Sequence, residues 1–417
     1  MGQTIIEKII EQHTQDEVRP GQIVWLELDL RTARDFGGPN VVKNYEREYD
    51  DEPVADASRT FFTFDLCTTG CLLRYADNQQ ICRLFARKQG LKVYDVDWGI
   101  GTHVLIEEGL ARANTTCVGT DSHMNLLGAV GCFGQGMGDV DITFAFRTGR
   151  TWFEVPETVK IRLVGQPEPS ASAKDLTLFL LRKLGTKVLA EKAAEFYGPA
   201  VEALSLAGRI TLCSMITEMA GIIGFIPRAN EEARKEMEKF SQEPWLPLQA
   251  DPDAIYFQEI EIDISGLTPQ VALPPSPANV RSLEEVAGKP VHSGFIGSCT
   301  NGRFEDLERA ARILKGRRIK PGVILKVVPA TRHVYEECLQ KGIIEIFIRS
   351  GAIVLNPGCG GCAEGHAGLT GREEVQVSTG NRNFPGKQGK GEIILASPEV
   401  VAASCLTGYL TSPEEII

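Results

Sequence analysis

Three cysteines constrain this chain more than any other feature of its sequence. Cys299 lies in a Gly-Ser-Cys-Thr-Asn-Gly-Arg segment (297–303), and Cys359 and Cys362 lie in an Asn-Pro-Gly-Cys-Gly-Gly-Cys segment (356–362). A Cys-x-x-Cys pair with one distant third thiol supplies three soft ligands, whereas closed zinc and iron–sulfur sites generally have four. On a four-iron cluster, three thiolates would leave one iron free to act as a Lewis acid. The pattern therefore favours a cluster that takes part in chemistry.

Two other kinds of site could use the same cysteines. One is a zinc site, and the other is a Cys-x-x-Cys redox pair with an unrelated buried cysteine elsewhere. The neighbouring glycines favour a bulky cofactor, because a backbone without side chains can approach it closely and donate N–H groups to its sulfurs. These glycines are Gly297, Gly302, Gly358, Gly360 and Gly361.

Length and composition limit the class of protein. A chain of 417 residues, 43% hydrophobic and 24% charged, is expected to form two or three globular domains. The absence of an eighteen-residue apolar run and of a signal-peptide pattern predicts a cytoplasmic protein with no membrane contact. A net charge of −11 argues against nucleic-acid binding but is compatible with a small anionic substrate. Eleven cysteines without an export signal indicate reduced thiols and metal ligands.

From residue 291 onward, short apolar runs alternate with longer amphipathic ones. This alternation predicts the α/β fold class, with a doubly wound and mainly parallel sheet. In such sheets, ligands bind beyond the carboxyl ends of the strands. Cys299 follows one predicted strand end, and Cys359 and Cys362 follow another, so we expect the three thiols to converge. The predicted elements are strands at 291–297, 323–329, 352–355, 375–378 and 392–396 and a helix at 304–314.

The first 280 residues also have a mixed α/β pattern. Strands are predicted at 23–30, 92–96 and 159–164, and helices at 175–184 and 230–240. A proline-rich stretch at 267–278 predicts a linker before the last domain.

Two polar segments could face a ligand. Residues 119–123 place a carboxylate, a hydroxyl and an imidazole together, although a polar turn after a strand would have the same composition. The glycine-dense run at 128–138 suggests a tight, ligand-facing loop. It does not match the Gly-x-Gly-x-x-Gly pattern of a dinucleotide site.

Two further segments carry charged side chains. Glu218 is a lone acid in an apolar segment (214–221), and a buried acid must be paired or functional because unpaired burial is costly. Residues 378–389 are rich in amide and cationic donors, as carboxylate binding requires, although a solvated loop would have the same composition. Cys405 lies in an apolar run and is expected to be a small buried side chain.

Taken together, these segments resemble the large subunit of the isopropylmalate isomerase/homoaconitase branch of the aconitase superfamily over nearly the whole chain. The resemblance implies three α/β/α domains around a [4Fe-4S] cluster, the first two within 1–280 and the third at 281–417. It also implies a hydro-lyase (dehydratase/isomerase) acting on a hydroxy di- or tricarboxylic acid of the isopropylmalate/homocitrate type or a modified analogue. The matching segments are 20–24, 104–109, 119–123, 217–218, 297–303, 357–362, 378–384 and 397–403.

The resemblance also implies roles for individual side chains. The cluster ligands would be Cys299, Cys359 and Cys362. Asp121 and His123 would orient the water, Glu218 would pass a proton to the hydroxyl, and Arg382 would bind a substrate carboxylate. Further catalytic or substrate-binding candidates, at or beside the family's positions, are Asp65, His103, Ser122, Asn301, Asn381 and Lys387.

Several catalytic positions depart from the family pattern. The family's His-Asp is Arg34-Asp35 here, its Asp-His is Asp65-Leu66, and its His-Gln is Thr102-His103, one place out of register. Lys387 stands where the family has an arginine, and a lysine cannot bind a carboxylate in the bidentate geometry of an arginine. Because imidazoles near a hydroxyl leaving group do acid–base work, these replacements predict either an altered substrate or a lost reaction.

In the family the catalytic serine belongs to a fourth, swivelling domain, which we do not expect within these 417 residues. A separate small subunit is therefore expected as partner, together with a small carboxylic-acid substrate. A second hypothesis is a cluster-binding iron or oxygen sensor, or a regulatory subunit, without turnover. The relay of Asp121, His123 and Glu218 favours the enzyme, since a sensor needs no proton transfer, whereas the missing histidines favour the sensor.

Overall fold

The chain alternates strands and helices along its whole length. The structure is a computed structural model that describes residues 2–362 and 367–416, with Cys362 described by its backbone alone. Its strands are β1 (Ile23–Glu27), β2 (Leu30–Arg34), β3 (Thr60–Thr63), β4 (Lys92–Tyr94), β5 (Thr116–Gly119), β6 (Phe133–Gly136), β7 (Arg150–Glu154), β8 (Thr158–Val164), β9 (Ala193–Tyr197), β10 (Ile223–Phe225), β11 (Gln258–Asp263), β12 (Gln270–Ala272), β13 (Val280–Ser282), β14 (Ser293–Ile296), β15 (Ile324–Val327), β16 (Ile353–Val354), β17 (Val375–Ser378) and β18 (Glu392–Leu395).

Helices connect most of these strands, as parallel pairing requires. They are α1 (Ile5–Glu11), α2 (Gly38–Tyr49), α3 (Leu73–Gln89), α4 (Gly101–Glu107), α5 (Asp139–Thr148), α6 (Ala173–Leu184), α7 (Pro199–Glu202), α8 (Leu206–Ser214), α9 (Glu231–Ser241), α10 (Ser298–Asn301), α11 (Phe304–Leu314), α12 (Arg332–Gln340), α13 (Ile343–Ser350) and α14 (Pro398–Thr407).

The first large sheet has the strand order β4-β3-β2-β5-β6, and all its neighbouring strands are parallel. Aromatic side chains of β3 pack against the covering helices, with Phe62 in edge contact with Phe85 of α3 and Phe146 of α5. Because the strands are parallel, their carboxyl ends share one edge. Arg34, Asp65 and residues 120–123 lie at this edge.

The second sheet has the order β10-β9-β8-β11 and is also parallel. Its core includes Val159 and Ile161 of β8, Leu178 and Leu181 of α6, and Ile210 of α8, all fully buried. A 3₁₀ turn at Met215–Met219 joins α8 to the segment before β10 and carries Glu218.

The third sheet has the order β13-β12-β18-β17-β14-β15-β16. The run from β18 to β16 is parallel, which confirms the predicted doubly wound pattern, and β12 pairs antiparallel with β13 and β18. The predicted helix over Phe304–Leu314 is confirmed as α11, with Leu307 and Leu314 fully buried on its inner face.

Two sequence-based predictions differ from the structure. The strand predicted over 23–30 is two strands in different sheets, because the chain turns at Asp29, whose carboxylate accepts the Thr116 N–H at 2.9 Å. The linker predicted over 267–278 contributes β12 to the third sheet. The first half of the glycine-dense run is packed closely, since a Cβ on Gly128 would meet the Gly224 carbonyl oxygen at 2.1 Å, whereas Gly138 at its end is exposed, and its predicted ligand-facing role stays a prediction. The predicted domain division at residue 280 stays a prediction.

The three large sheets meet near their carboxyl edges. The Cys359 N–H donates to the Asp65 carbonyl at 2.9 Å, and the Ile100 N–H donates to the Ala330 carbonyl at 2.8 Å. The Thr211 hydroxyl of α8 donates to the Thr300 carbonyl at 2.7 Å. Loops from all three sheets are thereby held around one region. Among the described residues, no helix is long and apolar enough to cross a membrane.

Candidate active site

Arg34, the last residue of β2, lies at the centre of the region where the sheets meet. Its Nε and Nη2 donate to Asp65 Oδ1 at 2.9 and 2.5 Å, and its Nη1 lies 2.9 Å from Asp121 Oδ1. Its Nη2 also donates to Cys359 Sγ at 2.9 Å. One guanidinium thus links the ends of three neighbouring strands to a cysteine that follows β16.

Asp35 shapes the loop that follows β3. Its carboxylate accepts the backbone N–H groups of Leu66 and Cys67, each at 3.2 Å, and the Gln79 side-chain amide at 3.0 Å. Backbone donors that turn toward one buried carboxylate are held in a fixed turn. Asp35 therefore fixes the backbone beside Asp65.

Asp65 and Asp121 share the charge of Arg34 and are both buried. Burial raises the pKa of Asp65 to about 7, although Arg34 lowers it. Burial would also raise the pKa of Asp121, but Arg34 and His123 outweigh it and lower that pKa below its usual value. The Asp121 carboxylate also accepts the backbone N–H of His123 at 3.0 Å, which fixes the main chain that carries the imidazole.

His123, Glu218 and Arg382 form a second charged group. His123 Nε2 lies 3.1 Å from Glu218 Oε1, and Arg382 Nε donates to the same oxygen at 2.7 Å. Arg382 Nη1 donates to the Ser122 hydroxyl at 3.5 Å. Burial would raise the pKa of Glu218, but His123 and Arg382 lower it, so this carboxylate is ionised at neutral pH. The predicted residues Ser122, His123, Glu218 and Arg382 are brought together.

Of the three predicted cluster ligands, Cys299 and Cys359 have described side chains, and both sulfurs lie beside polar donors. The Asn381 amide nitrogen lies 3.4 Å from Cys299 Sγ, and Arg34 donates to Cys359. Both thiols are buried, at 4% and 2% exposure. The 3₁₀ turn Gly360–Cys362 contacts α10, so the predicted convergence holds for the two segments. The Cys362 side chain, the third predicted ligand, lies outside the described residues.

The backbone around Cys299 is unusual. Ser298 has a φ of 75°, a left-handed conformation that costs energy for a residue with a side chain. Its hydroxyl donates to the Asn381 side chain at 2.7 Å. Gly360 has a φ of 59°, and a Cβ there would meet the Phe295 ring at 2.3 Å, so only glycine fits this close approach.

His103 and Asn301, two predicted site residues, form hydrogen bonds against or within the segment that carries Cys299. His103 Nε2 donates to the Cys299 carbonyl at 3.0 Å, and burial lowers the pKa of His103 to about 3, so its ring is neutral. Asn301 donates to Asp306 at 2.9 Å, and its buried side-chain oxygen has no hydrogen-bond partner among the described residues. Lys387 is half-buried in the loop beyond Arg382.

The structure adds two cations that sequence reasoning did not place in the site. Arg34 was recognised only as a departure from the family pattern. Lys174, fully buried in the first turn of α6, donates to the carbonyls of Thr379 and Gly380 at 3.0 and 2.8 Å. Burial lowers the pKa of Lys174 to about 8. It anchors the loop that carries Asn381 and Arg382, and no local sequence signal distinguishes it from a surface lysine.

Comparison with known proteins identifies the family. The model of the aconitase family (aconitate hydratase) matches residues 7–408. The 3-isopropylmalate dehydratase large subunit 1 of Methanopyrus kandleri is 38% identical over 416 residues, which is 99% of each chain. The homoaconitase large subunit of Thermus thermophilus is 40% identical over 419 residues, 100% of this chain and 98% of that relative.

A solved structure supports the fold independently. The crystal structure of Thermococcus kodakaraensis aconitase X in its holo-form aligns with a TM-score of 0.53 at 13% identity, covering 85% of this chain and 84% of that one. At this identity the likeness shows the fold alone. The family match and the full-length relatives show more: this chain belongs to the aconitase family and is a hydro-lyase.

Proposed function

We propose that this chain is the cluster-bearing large subunit of a hydro-lyase that removes and returns water on a hydroxy di- or tricarboxylic acid. The observation that carries the proposal is the meeting of buried thiols with a carboxylate–imidazole–guanidinium group at one edge. Cys299 and Cys359 lie beside Asn381 and Arg34, and Glu218 lies between His123 and Arg382.

The residues present suit a [4Fe-4S] cluster held by Cys299, Cys359 and Cys362. Cluster sulfurs accept hydrogen bonds, and the described thiols already lie beside N–H donors from Arg34 and Asn381. When bound, such a cluster would supply Lewis acidity toward a hydroxyl or water. A zinc site or a redox pair would not need these surroundings.

The side chains of the chain itself divide the remaining work. Arg382 is a charged donor with 22% side-chain exposure, which suits it to bind a substrate carboxylate next to Glu218. Glu218 Oε1 can accept a proton and pass it on while His123 and Arg382 keep it oriented. Asp121 fixes the His123 backbone and so the position of its ring. His103 is neutral and bound to a carbonyl, which suits a positioning role more than proton donation.

The substrate is proposed to be of the isopropylmalate or homocitrate type, or a modified analogue. The relatives named 3-isopropylmalate dehydratase and homoaconitase large subunits support this class. Arg34, Leu66 and Thr102 stand where the family places imidazoles, which argues for a substrate that differs from those of the relatives. Because the relatives are named large subunits, we propose a separate small subunit that completes the site.

Anaerobic reconstitution tests the proposal. The reconstituted chain is expected to hold about four irons, with a broad absorbance roughly near 400 nm that bleaches in air. Cys299→Ser, Cys359→Ser and Cys362→Ser should each abolish it, whereas Cys405→Ser, at a fully buried thiol in α14, should keep it. Stoichiometric zinc without iron uptake would contradict the proposal. A full cluster without turnover of any hydroxy acid in the presence of the small subunit would favour the sensor hypothesis.

A further inference from the structure

Arg34 has contacts that a substrate-binding arginine would not have. Its Nε and Nη2 point at Asp65, its Nη1 at Asp121, and its Nη2 also at Cys359 Sγ. Four of the five N–H donors of a guanidinium are accounted for by these three partners. A substrate carboxylate could therefore form a bidentate pair with Arg34 only by displacing protein groups that are themselves buried.

The charge balance around Arg34 shows what its removal would cost. The side chains of Arg34, Asp65 and Asp121 are 9%, 1% and 7% exposed, so one buried cation faces two buried carboxylates and a thiol. Removing one partner of such a buried group leaves uncompensated charge, which is strongly unfavourable. Arg34 therefore holds both carboxylates in position and also keeps negative charge from accumulating beside Cys359.

Arg34 also differs chemically from an imidazole at the same position. A guanidinium does not release its proton in a protein, so Arg34 cannot act as an acid or a base. It offers a permanent charge and a hydrogen bond to a cysteine sulfur. Hydrogen bonds and charges near the sulfurs set the reduction potential of an iron–sulfur cluster, and groups that support metal ligands set how firmly the metal is held.

We infer that Arg34 is a positioning residue of the cysteine centre, which holds Cys359 Sγ, Asp65 and Asp121 in one arrangement and sets the potential and retention of the cluster. The inference rests on the proposed function, because it concerns the cluster that the cysteines would hold. It assigns Arg34 no proton transfer, which is left to Glu218 and His123.

The test compares Arg34→Met and Arg34→Lys with a matched control, Arg31→Met. Arg31 lies on the same strand and is at least as deeply buried, but it donates to the Leu28 carbonyl and the Thr60 hydroxyl and has no hydrogen bond to Cys299 or Cys359. The measurements on the reconstituted chain are the midpoint potential of the cluster and the rate of iron loss to a chelator. Neither depends on turnover.

Arg34→Met should lower the midpoint potential, because both a positive charge and an N–H···S bond are lost. It should also speed iron loss by about 10- to 100-fold. Arg34→Lys keeps the positive charge but loses the planar set of guanidinium N–H donors. The midpoint potential of its cluster should therefore lie between those of Arg34→Met and the unchanged chain. Arg31→Met should leave the potential unchanged even where it lowers the melting temperature.

Equal potentials in the unchanged chain, Arg34→Met and Arg31→Met would overturn the inference while leaving the proposed function intact. If Arg34→Met does not fold, Arg34→Lys decides, and a potential and iron-loss rate identical to those of the unchanged chain would count against the inference. An unchanged chain that takes up no iron would instead overturn the proposed function and the inference with it.

Discussion

At the scale of single residues, Glu218 shows how the site separates proton transfer from fixed charge. Its Oε1 lies within hydrogen-bonding distance of both His123 Nε2 and Arg382 Nε, and its side chain is 10% exposed. Arg34, by contrast, is a cation that cannot give up its proton. Glu218 therefore combines an ionised carboxylate with a position beside Arg382, the proposed substrate-binding arginine.

Glu218→Gln tests this assignment. The amide keeps the shape of the side chain but cannot accept a proton, so turnover in the presence of the small subunit should fall by about 10²- to 10⁴-fold. Iron content should stay unchanged, because the hydrogen bonds of Glu218 go to His123 and Arg382 and not to Cys299 or Cys359. Steady-state kinetics and iron analysis check both expectations, with Glu232→Gln on the exposed face of α9 as control. Full activity of Glu218→Gln would show that another residue carries out the proton transfer.

Sequence reasoning went further for some residues than for others. Residue types that have few structural uses, such as the Cys-x-x-Cys pair and the lone acid Glu218, can be assigned to a site from the sequence alone. Arg34 and Lys174 cannot, because a buried cationic side chain and an exposed one look the same in a sequence. Their partners lie on strands and loops up to 325 residues away, and only the fold brings them close.

At the scale of elements, strands and helices with strong periodicity were predicted well. α11 and β17 have the predicted bounds, since apolar residues recur at helical spacing in α11 and two valines alternate with polar residues in β17. The failures occurred where contacts with distant segments decide the local structure. The chain leaves β1 and enters β2 at Asp29, whose carboxylate binds Thr116 and His13, and none of these contacts is local.

His13 links α1 to the start of β2 and should make stability depend on pH. Its Nδ1 lies 2.7 Å from the Ile9 carbonyl and its Nε2 2.8 Å from Asp29 Oδ2, so both ring nitrogens have acceptors. Burial opposes the charge, but the bonds to Asp29 and Ile9 raise the pKa of His13 above its usual value. A raised folded-state pKa stabilises the protein fully below the unfolded-state pKa, and this stabilisation is lost as pH rises through the folded-state value.

His13→Gln should therefore cost about 1 kcal/mol of unfolding free energy near pH 5.5 and almost none near pH 8.5. Urea unfolding of the unchanged chain and the variant at the two pH values measures the difference. His333→Gln, at an exposed histidine of α12 whose ring contacts Phe240, serves as control. A cost that is the same at both pH values would show that His13 contributes by packing and not by its charge.

At the scale of the whole molecule, the three large sheets direct their loops into one region, and this region is bordered by apolar side chains. Phe36 and Phe384 follow Asp35 and Arg382 closely in the chain and are 66% and 45% exposed. Exposed apolar groups next to a charged site are typical of a surface that another protein covers. They support the proposed small subunit, which would dock over the site and exclude water from it.

The partner hypothesis makes a prediction for the complete assembly. The isolated chain should hold its cluster yet show little turnover, and addition of the small subunit should restore activity because that subunit would supply the base for the carbon-bound proton.

Phe36→Asp and Phe384→Asp should weaken association at least tenfold by placing a charge in a surface that becomes buried, an effect of about 1.4 kcal/mol or more. Leu339→Asp, at a 62% exposed position of α12, should not change association. Titration calorimetry and iron analysis separate weaker assembly from loss of the cluster. Full turnover by the isolated chain would contradict the two-subunit hypothesis. If all three variants bind the small subunit as tightly as the unchanged chain does, the docking surface lies elsewhere.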